Sequence, residues 1–441
     1  MESYDVIVIG AGMAGLLTAY YLQQEGKDIL ILEVKEPASG QTGRTTAKIT
    51  SQHGLKYTEL TDKIGSETAY LYAKANEEAI DQYEELIKKE SIDCHFERVS
   101  SYLYTRDKNK ISDLKREADL AFLYDINAHF TKETEFPFEA AGTVCFENQA
   151  QFDADSFVKF LSSKLNIKEN SKVIKIRGNK CIVEHNCKIE QYNADNIVVA
   201  THYPFKNISG FYFLRQHQER SYVAALSGCE KVKGMYCGID KDGISLRQKG
   251  NLLLFGSGSR RTGEHTCADS YHKLLEQIKV YYPYAKVEDL WSAQDCMPHD
   301  GIPFIGRYSV FTPHLYVATG FQKWGMSTSM VAAQILRDKI CDRKNEYEKV
   351  FSPQRIHIRA GWLDFRKDVV TSIKGLWRGL LNGKILKEVP CCTHLGCGLH
   401  FNREEQVWEC ACHGSRFDIE GNVRDNPAER KLDLKGNSHR K

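Results

Sequence analysis

The stretch Asp5-Val-Ile-Val-Ile-Gly10-Ala-Gly12-Met-Ala-Gly15 decides how the N-terminal part of this chain folds. Its apolar run reads as a buried strand, its glycines as a turn and the residues after them as a helix. In such a unit Gly10 permits the tight turn and Gly12 lets a pyrophosphate approach the backbone. Gly15 lets helix and strand pack, and the helix N-terminus faces the phosphates. The second strand, Asp28-Ile-Leu-Ile-Leu-Glu33, ends on an acid placed to accept ribose hydroxyls. G-x-G-x-x-G alone is a weak signal, but strand, glycines, helix and acid within one unit of about thirty residues predict a dinucleotide site.

The other end of the chain carries different chemistry. Cys392-Thr393-His394 is followed, fifteen residues later, by Cys410-Ala411-Cys412-His413. The pattern C-x-H-x15-C-x-x-H offers two thiolates and two imidazoles, one of each per loop. Cys392 and Cys410 would then hold one iron of a [2Fe-2S] cluster, and His394 and His413 the other. Imidazole ligation raises the potential of such a cluster to roughly −150 to +300 mV, so one-electron transfer is the expected job. Two cysteines and two histidines also suit tetrahedral zinc, but zinc fingers usually place both cysteines before both histidines, whereas here each loop mixes sulfur and nitrogen. Cys397 and Cys412 sit one per loop, where a disulfide would staple the loops, and Cys391 reads as a spare buried thiol.

Both cluster segments resemble the Rieske proteins of respiratory cytochrome bc complexes. That resemblance implies a Cys397–Cys412 disulfide and a hydrogen bond from Ser415 to a bridging sulfide. The family usually has a tyrosine two residues after this serine, donating to a cluster cysteine; here the position is Phe417. Loss of one donor to sulfur is expected to lower the potential.

Three further segments resemble the D-amino acid oxidase and glycine oxidase class of FAD proteins. They are Ser39-Gly-Gln-Thr-Gly-Arg44-Thr45-Thr46-Ala-Lys48, Asn196-Ile-Val-Val-Ala200-Thr201, and Asp300-Gly-Ile-Pro-Phe-Ile-Gly306-Arg307 with Thr319-Gly-Phe-Gln-Lys-Trp-Gly325-Met326-Ser327. The resemblance runs over roughly residues 1–355 and implies FAD as the dinucleotide. It places Arg44, Thr45, Thr46 and Lys48 beside the flavin and makes Ala200 and Thr201 the second fingerprint. It also puts the helix starting at Gly325 and Met326 end-on to the flavin pyrimidine, where its N-terminus would stabilise the charge of reduced flavin. Lys48 and Lys323 are candidates to tune the flavin. Relatives fix a substrate carboxylate with an arginine and a tyrosine, and Arg247, Arg260, Arg261 and Tyr222 lie where these could come from. The sequence assigns no general base.

The expected architecture is α/β plus β: a Rossmann-type FAD-binding domain with a sheet-rich substrate domain, D-amino acid oxidase-like, and a small, shortened C-terminal Rieske module. The FAD-binding pieces are expected at about 1–80, 150–205 and 295–355, and the substrate domain at about 81–149 and 206–294. Residues 356–383 form a linker helix and 384–441 the module. In that helix Trp362, Phe365, Val369, Ile373, Leu376 and Leu380 share a stripe expected to dock on a neighbouring domain, although Gly375 and Gly379 weaken the helix. With about 58 residues, the module can hardly sustain its own core and should lean on the flavoprotein, on a second subunit or on the cluster itself, whose ligation would be coupled to folding. The glycines around Gly256, Gly258 and Gly263 lack the G-x-G-x-x-G spacing, so they read as a sheet turn and predict no nicotinamide domain.

A chain of 441 residues that is 42% hydrophobic can bury two or three cores, and a net charge of +2 predicts no nucleic-acid partner. No run of apolar residues approaches a membrane span. Nine of the fourteen cysteines are scattered before the linker without a pairing pattern, which suits a reducing cytoplasm. The expected activity is oxidation of a small amine or amino acid by FAD, with electrons passed singly to the cluster and on to a protein partner; homo-oligomers are compatible with it. Two alternatives remain open: a cluster-fed flavin reductase or monooxygenase, and a non-enzymatic redox sensor or electron carrier.

Overall fold

The computed structural model describes residues 2–132, 136–206, 209–264, 270–385 and 389–434. Part of the C-terminal module, residues 386–388 and 435–441, therefore lies outside the described residues.

The apolar strand Ser3–Ile9 sits inside a mainly parallel sheet, between Ile29–Leu32 and Lys188–Val199. Leu315–Thr319 extends the sheet in parallel and Phe304–Arg307 closes that edge antiparallel. Strands buried on both faces need continuous apolar sequence, which Val6 to Ile9, Ile29 to Leu32 and Ile197 to Val199 supply; all are buried. Helices Met13–Gln24 and Gly325–Ile340 pack together over this core with helix Ser66–Glu90. Strand order reverses on the two sides of Ser3–Ile9, and the crevice at such a switch point, beyond the strands' carboxyl ends, is where an open α/β sheet takes its ligand.

A second, mostly antiparallel sheet runs Lys286–Pro298, Gln216–Ser227, Leu252–Arg261, Ser245–Lys249, Met235–Gly238, Glu97–Thr105, Gly142–Gln151, Lys48–Ile49. The glycine-rich segment at Gly256 thus lies within a strand of this sheet. Along its paired strands Gln216–Ser227 and Lys286–Pro298, burial alternates with a period of two. Gln218, Arg220, Tyr222, Ser292, Gln294 and Cys296 are buried; His217, Glu219, Ser221, Ala293, Asp295 and Met297 are half-buried. Each set faces one side of the sheet.

The C-terminal module is a four-stranded antiparallel meander, His400–Asn402, Val407–Glu409, Arg416–Asp418 and Val423–Asp425. Its own core is small: the cysteines, Leu399, Phe417, Ala428 and Leu432. The linker is a helix over Ile358–Arg378 that continues as π-helix through Gly379–Ile385. It docks on the protein through only part of the apolar stripe: Phe365 and Val369 are half-buried, and the Phe365 ring packs edge-on against His299. The inward side carries Ala360, Gly361, Asp368, Gly375 and Gly379, while Trp362, Ile373, Leu376 and Leu380 remain exposed, Ile373 at 60%. The rest of the stripe faces outward because cluster loops press so closely on the helix that only glycine fits beneath them. No helix of the described residues is long and apolar enough to cross a membrane.

Candidate functional site

At the strand-to-helix turn Gly10 has φ +104°, and a Cβ there would lie 2.7 Å from the Ala200 carbonyl oxygen. The first fingerprint therefore rests directly on the second, and the Ala200 amide donates to the Ile9 carbonyl at 2.9 Å. Thr201 donates its hydroxyl to the Tyr203 carbonyl. A Cβ on Gly15 would collide with the Gly10 carbonyl, so helix and strand approach as closely as backbone allows. Glu33 Oε2 accepts from the Ala11 amide at 2.7 Å and Oε1 from the Lys35 amide, which aims the carboxylate across the mouth of the turn. Gly12, the N-cap of helix Met13–Gln24, offers no side-chain cap; Thr42 Oγ1 accepts from the Met13 amide at 3.1 Å instead. Glycine turn, helix N-terminus and acid fit an adenosine pyrophosphate. Sequence reasoning misses Thr42, although a hydroxyl near a glycine turn is the signal that could find it.

Segment 39–48 runs from this turn to the second sheet. The Trp291 indole donates to the Arg44 carbonyl at 2.9 Å, Thr45 Oγ1 accepts from the Ala47 amide, and Arg247 donates to the carbonyls of Thr46 and Phe152. Lys48 is buried, donates to Tyr236 and Ser245, and has its pKa pushed down to about 8 by that burial. On the other side Gly325 and Met326 open helix Gly325–Ile340, whose N-cap residue Trp324 gives no side-chain cap. Tyr83 donates to the Met326 carbonyl at 3.0 Å. Lys323 donates to Ser259 and lies 3.3 Å from Glu219. Trp291, Glu219 and Lys323 thereby show which side of the second sheet faces the flavin segments: the half-buried one.

The buried side of the same strands carries Gln218 and Gln294 to the second of the two cluster loops. These two loops share one backbone geometry. In the first the Cys392 amide donates to the Cys397 carbonyl at 2.8 Å and the Gly396 amide to the Cys392 carbonyl at 2.9 Å. In the second the Cys410 amide donates to Ser415 and the Gly414 amide to Cys410, both at 2.9 Å. C-T-H-L-G-C and C-A-C-H-G-S are thus two copies of one six-residue turn, brought face to face. The His394 and His413 rings lie 4.9 Å apart at their centroids. Cys392 contacts Cys410 and Ser415, and that contact with Cys410, together with burial, holds its thiol pKa high. The thiols of Cys397, Cys410 and Cys412 lie within 4.8 Å of one another, and both Cys397 and Cys412 are free.

Burial pulls the His394 pKa down to about 4 and that of His413 to about 3, so both rings are neutral at ordinary pH, as metal ligation requires. His413 Nδ1 is buried without a hydrogen-bond partner. Its ring bonds to the Phe213 backbone, which by elimination engages Nε2. An orphaned Nδ1 among buried cysteines fits a site whose missing partner is a metal. Cys392, Cys410, His394 and His413 would hold a [2Fe-2S] cluster there, which supplies one-electron chemistry.

Several residues that carry no motif of their own hold these loops against the flavoprotein. Gln218 Nε2 donates to the carbonyls of His413 (2.7 Å) and Asn426 (2.9 Å). Gln294 Nε2 donates to Gln218 Oε1 at 2.6 Å and to the Gly414 carbonyl at 2.9 Å, while its own amide donates to Gln41 Oε1 at 2.7 Å. Gln41 belongs to the flavin-side segment, so one hydrogen-bonded path runs from the cluster loop to the flavin loop. Arg261 donates to the carbonyls of Ala411 (2.9 Å) and Cys412 (3.0 Å) and to Asp368 of the linker. Asp368 also accepts from His299 at 2.6 Å and lies 3.3 Å from His217. Burial pulls the His217 pKa down, but Asp368 and Glu219 outweigh it and hold it at about 8. Of the residues considered for a substrate carboxylate, Arg247 clamps the flavin loop, Arg261 clamps the cluster loop and Arg260 donates to the buried Tyr222 at 2.8 Å.

The family model for FAD dependent oxidoreductases matches residues 5–339, and that for the Rieske [2Fe-2S] domain matches 372–435. The Bacillus subtilis (strain 168) protein YhfW, named for a Rieske 2Fe-2S centre, is 31% identical over 97% of this chain and 92% of its own. Among solved structures, glycine oxidase from Geobacillus kaustophilus superposes with a TM-score of 0.67 at 18% identity, over 81% of this chain and 100% of that one. L-proline dehydrogenase from P. horikoshii gives 0.64 at 14% identity, over 80% and 98%.

Proposed function

Because this chain belongs to the FAD dependent oxidoreductase family and carries a Rieske [2Fe-2S] domain, we propose that it oxidises a small amine or amino acid and passes the electrons singly to the cluster. The observation that supports this most directly is the shared sheet: its half-buried side meets the flavin segments, and Gln218 and Gln294 on its buried side hold the second cluster loop. FAD suits the task, since it takes two electrons together and releases them one at a time. Glu33 and the turn at Gly10, Gly12 and Gly15 would hold its adenosine pyrophosphate. Arg44, Thr45, Thr46, Lys48, Ala200, Thr201, Gly325 and Met326 would line the rest. Two neighbours in fold are named for glycine and L-proline, which supports a small amino acid or a related amine.

In the same reading the neighbouring thiols of Cys397 and Cys412, free in this structure, close into a disulfide beside the cluster on oxidation, and a protein partner takes the electrons onward. The scattered cysteines of the flavoprotein favour a cytoplasmic setting. Anaerobic addition of a panel of amines and amino acids to the holoprotein tests the reading. At least one member should bleach the flavin's visible band. Bleaching by dithionite but by no member of a broad panel would contradict it.

A further inference from the structure

The flavin-facing side of the second sheet carries an acid with no partner. Strand register pairs Glu219 with Asp295, His217 with Met297 and Val223 with Trp291, so these residues share a face. Trp291 on that face reaches the Arg44 carbonyl, and Glu219 meets Lys323 of the flavin-side turn at 3.3 Å. The other charges nearby are matched. Lys323 offsets Glu219, Arg261 and His299 hold Asp368, and His217 lies between Asp368 and Glu219 at 3.3 and 3.6 Å. Asp295 makes no hydrogen bond and no ion pair with any described residue. Its side chain is half-buried on that face and keeps some access to solvent. A carboxylate partly withdrawn from water is costly to leave unpaired, and the groups that would bind an anionic ligand instead are engaged elsewhere: Arg247 with Thr46 and Phe152, Arg261 with the cluster loop, Arg260 with Tyr222.

We propose that Asp295 is the anionic anchor of the substrate site, and that the substrate binds there as a protonated amine without needing a carboxylate. The inference rests on the amine-oxidising reading above and narrows it. Burial pushes the Asp295 carboxyl up to about 7; Lys323 and Arg220 oppose the shift and Glu219 adds to it. An ammonium group arriving beside it favours the ionised form. The same carboxylate is then placed to take the ammonium proton, its O–H forming as the N–H breaks, which leaves the neutral amine that hydride loss requires.

Two unreactive ligands of nearly equal shape test this. Tert-butylammonium and 2-aminoisobutyrate both lack a hydrogen on the carbon bearing nitrogen, and differ in one methyl replaced by a carboxylate. Calorimetric titration of the holoprotein above pH 7 should show the cation binding at least about tenfold tighter. Its affinity should fall as pH drops through about 7, where protonation removes the anchor. Asp295→Asn, nearly isosteric, should remove both the preference and that pH limb while keeping FAD. A limb near pH 8 from His217 should persist in the variant. Equal or tighter binding of 2-aminoisobutyrate, or an Asp295→Asn protein that binds the cation as well as the wild type, would overturn the inference and leave the broader amine or amino-acid reading standing. Binding of neither ligand would also overturn the inference, and the bleaching panel alone decides the broader reading.

Discussion

Glu405 shows how single residues join the two modules. Its carboxylate bridges Arg220 of the second sheet and Arg416 of the C-terminal meander, and also accepts from Ser292. Burial pushes its pKa up, but the two guanidinium groups outweigh that and leave it lowered. Arg220 is 1% exposed, so it has no water to turn to if its partner is lost. Removing one member of a buried ion pair leaves an uncompensated charge and typically costs about 3–5 kcal/mol. Glu405→Gln should therefore destabilise the holoprotein by an amount of that order in denaturant titration. It should also loosen the cluster module, since Arg416 depends on Glu405 together with Glu409 and Asp425. A loss below about 1 kcal/mol, the range of exposed pairs, would show that water reaches the pair.

Among the elements, the linker helix accounts best for the module's small size. A Cβ on Gly375 would collide with Cys412 Sγ, and one on Gly379 with the Gly396 carbonyl; the Gly398 amide donates to the Gly375 carbonyl at 2.9 Å. The helix thus serves as a floor under both cluster loops. Gly375→Ala favours helix by up to about 1 kcal/mol, yet overpacking of about 1–3 kcal/mol should displace the second loop. The expected result is loss of iron and acid-labile sulfide with FAD retained; normal cluster content would contradict the close packing. In the sequence Gly375 and Gly379 are legible as helix-weakening glycines, but their purpose is not, because it depends on loops that return from residues 392–415. The glycine turn at Gly10, Glu33 and the cysteine and histidine pairs are legible because their chemistry is local. Gln218 and Gln294 are not. An alternating polar residue in a strand ordinarily marks the solvent face, and only the arrival of the module makes it interior. The helix stripe misleads in part for the same reason: its period shows which side is apolar, not that only Phe365 and Val369 of it meet the protein.

At the scale of the whole molecule, one sheet serves as the shared wall of two redox compartments. Its half-buried face carries Asp295, Glu219 and Trp291 toward the flavin segments, and its buried face carries Gln218, Arg220 and Gln294 into the cluster module. The path from the His413 carbonyl through Gln218 and Gln294 to Gln41 crosses this wall within one chain. Because both sides of the sheet belong to one chain, reduction at the flavin should reach the cluster within the same molecule and at a rate independent of protein concentration. Rapid-freeze EPR after anaerobic mixing with a substrate that bleaches the flavin measures this most directly. The reduced cluster's signal should rise within the enzyme's turnover time, be unchanged on dilution and be absent in Cys410→Ser. A fully bleached flavin beside a cluster that stays EPR-silent would contradict it.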